Sequence, residues 1–192
     1  MGQRSAPVSA PEWVPAGTVE DGDGIRVGTG PAVDLYIDFL CPFCRRFEEA
    51  SGAELESLVA TGLGSLVYHP LGFLDRLSTT GYSSRAAAAS GCASDRRRFP
   101  EYKNALFANQ PEEGGPGLSD EELVQLGLAL GMDPGFARCV GGHRYIEWAA
   151  FVTTRAIERG VTGTPSVFVD GVPVPANGRL IVTALEELGA SA

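Results

Sequence analysis

The sequence predicts an α/β domain whose sheet is interrupted by a block of helices, and three stretches predict it. An apolar run over residues 33–39 passes into a helical pattern over 42–60 and then into a second apolar run over 63–69. That order gives a strand–helix–strand unit with parallel strands. From about Ser78 to Gly160 only helical patterns occur. Strand patterns then return at residues 166–169 and 172–174, and a last helix over 180–188 closes the chain. The domains follow: a lead segment over 1–17, an α/β domain made of 18–77 and 161–192, and an inserted all-helical subdomain over 78–160.

In the lead segment, Pro7, Pro11 and Pro15 among Ser and Ala read as a flexible tether. Residues 1–15 lack the charged-then-apolar order of a signal peptide. Met1-Gly2-Gln3-Arg4 therefore reads either as a cytosolic start or as a start trimmed of an anchor. Thr18-Val19 predicts a short strand, continued by Ile25 and Val27 beyond the turn Asp21-Gly22-Asp23-Gly24 and broken by Gly28-Thr29-Gly30-Pro31. The first long helix has Pro42 in its first turn and Gly62 at its C-terminal end.

In the helical block, Ser83-Ser84 predicts a cap for a helix through Ala93. Pro100 opens a helix over 99–109, and residues 110–117 form a Pro/Gly loop. Ser119 and Glu122 make a capping box ahead of Leu123, Leu126 and Leu130. A short helix starts at Asp133-Pro134, and a long one runs over 145–159 to Gly160. Trp148, Phe151 and Ile157 read as its core face. Asp170-Gly171 between the last two strands is a type I′ hairpin signal. There is no internal repeat.

The chain has 192 residues, an apolar fraction of 44% and a formal net charge of −9. The length suits one well-buried domain. The charge argues against nucleic acid or an anionic membrane surface as the main partner, and leaves peptides and proteins open. No apolar run approaches the roughly 20 residues of a membrane span. Arg96-Arg97-Arg98 reads as a solvated helix face, and His69 and His143 as structural.

The chemistry centres on Cys41-Pro42-Phe43-Cys44. The junction of strand and helix puts Cys41 at a helix N-terminus, where free N–H groups and the helix dipole favour a thiolate. Cys44, one turn further in, suits the resolving role. This is the pattern of a redox dithiol. Half of a zinc site is the competing reading, but the remaining cysteines, Cys92 and Cys139, are isolated and the histidines form no matched pair. Four cysteines permit three pairings. With Cys41–Cys44 as the local pair, Cys92 and Cys139 are either a second disulfide, which points to an oxidising compartment, or two buried free thiols. Phe43, Leu71, Phe73 and Val161 are candidates for the rim of a peptide-binding surface, or for core.

The run Asp38-Phe39-Leu40-Cys41-Pro42-Phe43-Cys44, the helical insertion and Gly163-Thr164-Pro165-Ser166-Val167-Phe168-Val169-Asp170-Gly171 together resemble the DsbA family of thiol–disulfide oxidoreductases. Residues 69–76 are similar to the segment after the second strand in its actinobacterial members, which are anchored or secreted. The resemblance covers the chain from about Pro31 onward. It implies a thioredoxin-like fold, a central mixed sheet flanked by helices. It also implies Cys41 as nucleophile, Cys44 as its buried partner, Thr164-Pro165 as a cis-proline loop and a Cys92–Cys139 clamp in the insertion. Further implications are a monomer outside the cytoplasm without cofactor or metal, reduced exported proteins as substrates, and reoxidation by a vitamin K epoxide reductase-like membrane protein.

Two positions depart from the family pattern. Phe43 stands where the best-known members carry a histidine, which implies a less acidic Cys41 and a milder oxidant. Leu35 stands where relatives place a buried acid; Asp38 is the nearest substitute, either assisting proton transfer at Cys44 or lying solvated at the strand end. The expected function is a disulfide oxidase. Its rivals are a reductase or isomerase on the same fold, a glutathione-transferase relative, against which the intact CxxC counts, and a non-catalytic peptide-binding module.

Overall fold

In the computed structural model the described residues are 11–190. Among them five strands form one mixed sheet in the order β1-β3-β2-β4-β5. They are β1 (Ile25–Gly28), β2 (Ala32–Ile37), β3 (Ser65–Pro70), β4 (Ser166–Val169) and β5 (Val172–Val174). β2 and β3 run parallel and the other pairs antiparallel. The parallel pair requires a crossover, and α1 (Pro42–Ala60) supplies it.

Register explains the two faces of the sheet. Val33 pairs with Leu66 and Leu35 with Tyr68, while Val167 and Val169 pair with Leu35 and Val33 across β4. These side chains share one face, all are buried, and α1 and α7 (Gly178–Ala190) supply the covering Leu55, Leu58, Ile181 and Leu185. Asp34, Tyr36, Val67, His69 and Phe168 occupy the other face, alternating with the first set as a pleated strand demands. There Tyr36 stacks on His69 with ring centroids 4.3 Å apart. His69 is fixed by hydrogen bonds to the Asp23 carbonyl at 2.7 Å and the Asp34 carboxylate at 2.9 Å.

Between β3 and β4 lie a short 3₁₀ helix (Asp75–Leu77) and five α-helices: α2 (Tyr82–Ser94), α3 (Phe99–Ala108), α4 (Asp120–Ala129), α5 (Pro134–Gly141) and α6 (Ile146–Glu158). Ala, Ser and Gly make α2 thin enough to be the buried axis of this block, packed against α3, α4, α5 and α6. The capping box forms as the sequence reads, Ser119 Oγ accepting from Glu122 N and Glu122 from Ser119 N. Cys92 on α2 and Cys139 on α5 are joined by a disulfide.

The structure corrects several local expectations. β2 stops at Ile37, not at residue 39, because Asp38 folds back to accept the Leu40 N–H at 2.8 Å. α2 starts earlier than its serines suggest. Ser83 faces inward, and the cap comes from Asp75, which accepts from Ser84 N at 2.9 Å. Trp148 and Phe151 are core, but Ile157 is 60% exposed. The expected tether falls largely on residues 1–10, which lie outside the described residues. Pro15 is buried, and Ala16 N donates to Asp95 at 2.9 Å.

Candidate active site

The end of β2 sets the site. The turn 38–40 closes with Cys41 N donating to the Asp38 carbonyl at 3.0 Å. Cys41 then caps α1 in an extended conformation, with Pro42 in the first turn. Proline has no N–H to lose there, so the free N–H groups of Phe43 and Cys44 face the Cys41 sulfur. The peptide bond Thr164–Pro165 is cis, and Cys41 Sγ lies 3.3 Å from the Thr164 carbonyl oxygen.

Cys41 and Cys44 are both unlinked and both buried, but their thiols are driven apart. The hydrogen bond from the Cys44 thiol holds the Cys41 pKa down, to about 6 from an ordinary 9.0. Burial opposes this, and hydrogen bonds from the Thr164 side chain and the N–H groups of Cys44 and Phe43 add to it. Burial pushes the Cys44 thiol far up, and its hydrogen bond and proximity to the Cys41 thiolate push it further. The pair is thus a thiolate and a thiol near neutral pH, with the negative charge on the sulfur nearer solvent.

Asp38 is fully buried beneath this pair. Burial raises its carboxyl to about 6 from 3.8, partly offset by hydrogen bonds from Leu40 N, Ser83 Oγ and Leu74 N, while the Cys41 charge adds to the rise. The three donors lie at 2.8, 2.7 and 2.9 Å. The solvated strand-end alternative for Asp38 does not hold.

Around Cys41 an open groove of about 580 Å³ is lined by Phe43, Phe73, Ile157, Val161 and Thr164, with Arg76 and Glu113 also on its wall. Phe43 is 64% exposed, its ring under the Arg46 guanidinium at 4.5 Å. Leu71, grouped with these by sequence, is fully buried and not on the groove. Sequence reasoning missed Gln110, in the loop after α3. Its Nε2 donates to the carbonyls of Phe39 and Cys41, both at 3.0 Å, across 71 and 69 residues. No local pattern marks a loop glutamine for that task; only the tertiary fold brings it there. Cys92 and Cys139 sit in the helical block, on elements other than those carrying the dithiol. Among the described residues no three His, Cys, Asp or Glu side chains are grouped to hold a metal ion.

Comparison with known proteins comes to the same place. The family model described as Thioredoxin matches residues 25–180. The crystal structure of reduced DsbA from Mycobacterium tuberculosis is 31% identical with a TM-score of 0.76, covering 86% of this chain and 91% of that one. A reduced disulfide bond oxidoreductase named DsbG, from the same organism, is 32% identical with a TM-score of 0.77, covering 86% and 87%. MdbA from Corynebacterium diphtheriae, at 23% identity and a TM-score of 0.70, shares the fold over 92% and 94% of the two chains. Among curated proteins, the serine/threonine-protein kinase PknE of M. tuberculosis is 32% identical over 160 residues, 76% of this chain. The match covers 28% of that kinase.

Proposed function

The chain belongs to the thioredoxin family, among thiol–disulfide oxidoreductases of the DsbA kind, and on that premise we propose that it oxidises exported proteins through Cys41 and Cys44. The observation that carries this reading is the geometry of the dithiol: Cys41 caps α1, Cys44 is buried in its first turn, and the Thr164 carbonyl oxygen lies 3.3 Å from Cys41 Sγ.

In the oxidised protein a substrate thiolate attacks Cys41 Sγ. The Cys41–Cys44 bond breaks, and Cys44 leaves with the electron pair and takes a proton. A second substrate thiolate then attacks the substrate sulfur of the mixed disulfide, and Cys41 leaves as a thiolate. The low Cys41 pKa makes that last departure easy and stabilises the reduced product, which is what makes a disulfide donor. The Thr164 backbone beside Cys41 offers an extended peptide an edge to pair with, and exposed Phe43 and Ile157 offer it apolar contact. The protein works as a monomer outside the cytoplasm, and a vitamin K epoxide reductase-like membrane protein reoxidises it. Among the described residues no helix is long and apolar enough to cross a membrane.

The test is the reduction potential of the Cys41–Cys44 pair, together with oxidative refolding of reduced ribonuclease A by the oxidised protein. A potential nearer about −120 mV than about −270 mV, with ribonuclease recovered and Cys41→Ser inactive, is the expected result. A potential near about −270 mV makes the protein a reductase.

A further inference from the structure

Pro70 closes β3, and the chain then makes the 3₁₀ turn Asp75–Leu77 before entering α2. That turn is held from three sides. Leu74 N donates to Asp38 at 2.9 Å, Asp75 accepts from Ser84 N at 2.9 Å and from Ser84 Oγ at 2.5 Å, and the Leu77 carbonyl accepts from Gly114 N at 2.7 Å. Arg76, at the centre of the turn, is exposed and stands on the wall of the groove around Cys41. Its backbone is fixed, and its side chain faces solvent.

The Arg76 guanidinium has no partner of its own. Asp75, the carboxylate beside it in sequence, is committed to Ser84. Glu113, the other charged residue on the groove wall, adjoins Gly114, whose N–H bonds to Leu77. Even so, the two side chains form no ion pair. Among the described residues Arg76 makes no hydrogen bond, ion pair or ring contact. On the Phe43 side of the groove, Arg46 lies over the Phe43 ring at 4.5 Å and has no carboxylate partner. The chain carries a net charge of −9, yet the surface around its nucleophile holds two unpaired guanidiniums and one carboxylate.

We infer that Arg76 sets the substrate preference of the groove, favouring reduced proteins whose reacting cysteine has an apolar neighbour and an acidic residue beyond it. The inference rests on the groove being the place of disulfide donation, and refines it. The exchange itself is the one already described: the peptide thiolate bonds to Cys41 Sγ, the Cys41–Cys44 bond breaks, and Cys44 leaves with the electron pair and takes a proton. Phe43, Phe73, Ile157 and Val161 meet the apolar neighbour, and Arg76 meets the carboxylate. A paired arginine has to release one carboxylate to gain another, whereas Arg76 releases only water. Its planar fork suits a carboxylate held through both oxygens. A basic residue in the same place meets like charge.

The test is the rate at which the oxidised, full-length protein reacts with an excess of three peptides, acetyl-Xaa-Leu-Cys-Leu-Xaa-amide with Xaa as Glu, Gln or Lys. Acid quench and mass spectrometry follow the loss of the Cys41–Cys44 disulfide. Each rate is expressed per peptide thiolate, because a nearby carboxylate raises a thiol pKa. The glutamate peptide is expected to react about threefold faster than the glutamine peptide, within the roughly fivefold that an exposed ion pair supplies, and the lysine peptide slowest. In 1 M salt, where the screening length is about 3 Å, the three rates converge. Arg76→Gln brings the glutamate rate down to the glutamine rate, Arg76→Lys keeps part of the difference, and Glu113→Gln widens it. Arg179→Gln removes the same charge from the exposed start of α7 and keeps the wild-type ratio. The inference is overturned if the lysine peptide is fastest, or if Arg76→Gln keeps the wild-type ratio. Equal rates for all three peptides overturn it and leave disulfide donation standing. No reaction with any peptide overturns both readings.

Discussion

The sharpest consequence of the split dithiol is a break in the pH dependence of its reduction potential. With the Cys41 pKa near 6 and Cys44 protonated throughout, reduction takes up two protons below that pH and one above it. For a two-electron couple, a tenfold change in the equilibrium is about 30 mV. The potential should therefore fall by about 60 mV per pH unit below the break and about 30 mV above it. The size of the oxidising bias follows from the same shift. A thiol at 6 instead of 9.0 stabilises the reduced form at pH 7 by about one power of ten, or about 1.4 kcal/mol. That is about 30 mV, and solvent over the open groove screens the donors, so it is a ceiling.

The assay is equilibration with glutathione buffers from pH 4.5 to 8.5, alongside the thiolate absorbance at 240 nm of the reduced protein. The two curves should break at the same pH. The sign extends to stability. A thiol whose folded pKa is depressed stabilises the reduced protein at high pH, and this is lost as pH falls through about 6. The melting temperature of the reduced form should thus rise against that of the oxidised form from pH 6 to 9. A titration near 9, or a single slope of 60 mV throughout, refutes the reasoning.

Three further outcomes follow from neighbouring residues. Asp38, raised to about 6 from 3.8, stabilises the fold below its unfolded pKa, and that contribution is lost as pH rises through about 6; the loss is up to about 3 kcal/mol. Asp38→Asn removes this pH dependence but sets an amide N–H₂ against the Leu74 N–H. Denaturant titrations should show it less stable than wild type by about 1–3 kcal/mol at pH 4.5, with the gap closing by pH 8. Gln110→Ala leaves the carbonyls of Phe39 and Cys41 without their donor and should destabilise the protein by about 1–3 kcal/mol, since each neutral hydrogen bond is worth about 0.5–1.5 kcal/mol; denaturant titration reads it. Removing the disulfide by Cys92→Ala with Cys139→Ala opens a loop of 47 residues and should cost about 4 kcal/mol in the chain-entropy account, with the potential of the dithiol unchanged.

The fold was legible because its strands and helices announce themselves locally. The apolar runs at 33–39 and 63–69, the proline inside the first turn of α1 and the Asp-Gly hairpin are each a few residues long and carry their own physical reason. Cys41 and Cys44 were legible for the same cause, since a CxxC at a strand–helix junction fixes its own microenvironment. Boundaries were less legible. The chain leaves β2 at Ile37 because a buried carboxylate turns it, and the burial of Asp38 depends on Ser83, which is 45 residues away. Gln110 illustrates the limit more plainly. A glutamine in a Pro/Gly loop is the pattern of a solvated residue, and its function exists only once α3 has delivered it to the active-site turn. Ile157 erred the other way, with helical spacing that suits core and a position at the groove that leaves it exposed.

Phe43 is where the sequence departs from the family, and the site shows what takes over. An aromatic ring at that position brings no cation to the Cys41 sulfur. The acidity of Cys41 comes instead from the Cys44 thiol, Thr164 and two first-turn N–H groups. Neutral donors stabilise an anion less than an adjacent imidazolium does, but they do not titrate between pH 5 and 8. The thiolate therefore depends on the geometry of the turn, which Asp38 and Gln110 hold from opposite directions, one below the backbone N–H of Leu40 and one across the carbonyl of Cys41. Asp38 titrates in the same range as Cys41 and its charge opposes the thiolate, so the two protons leave the pair in coupled steps. Proton uptake on forming the reduced enzyme is then shared between the sulfurs and the carboxyl sealed beneath them, whose proton affinity the Cys41 charge raises. The Cys41 thiolate thus rests on neutral donors placed by the turn rather than on a neighbouring cation.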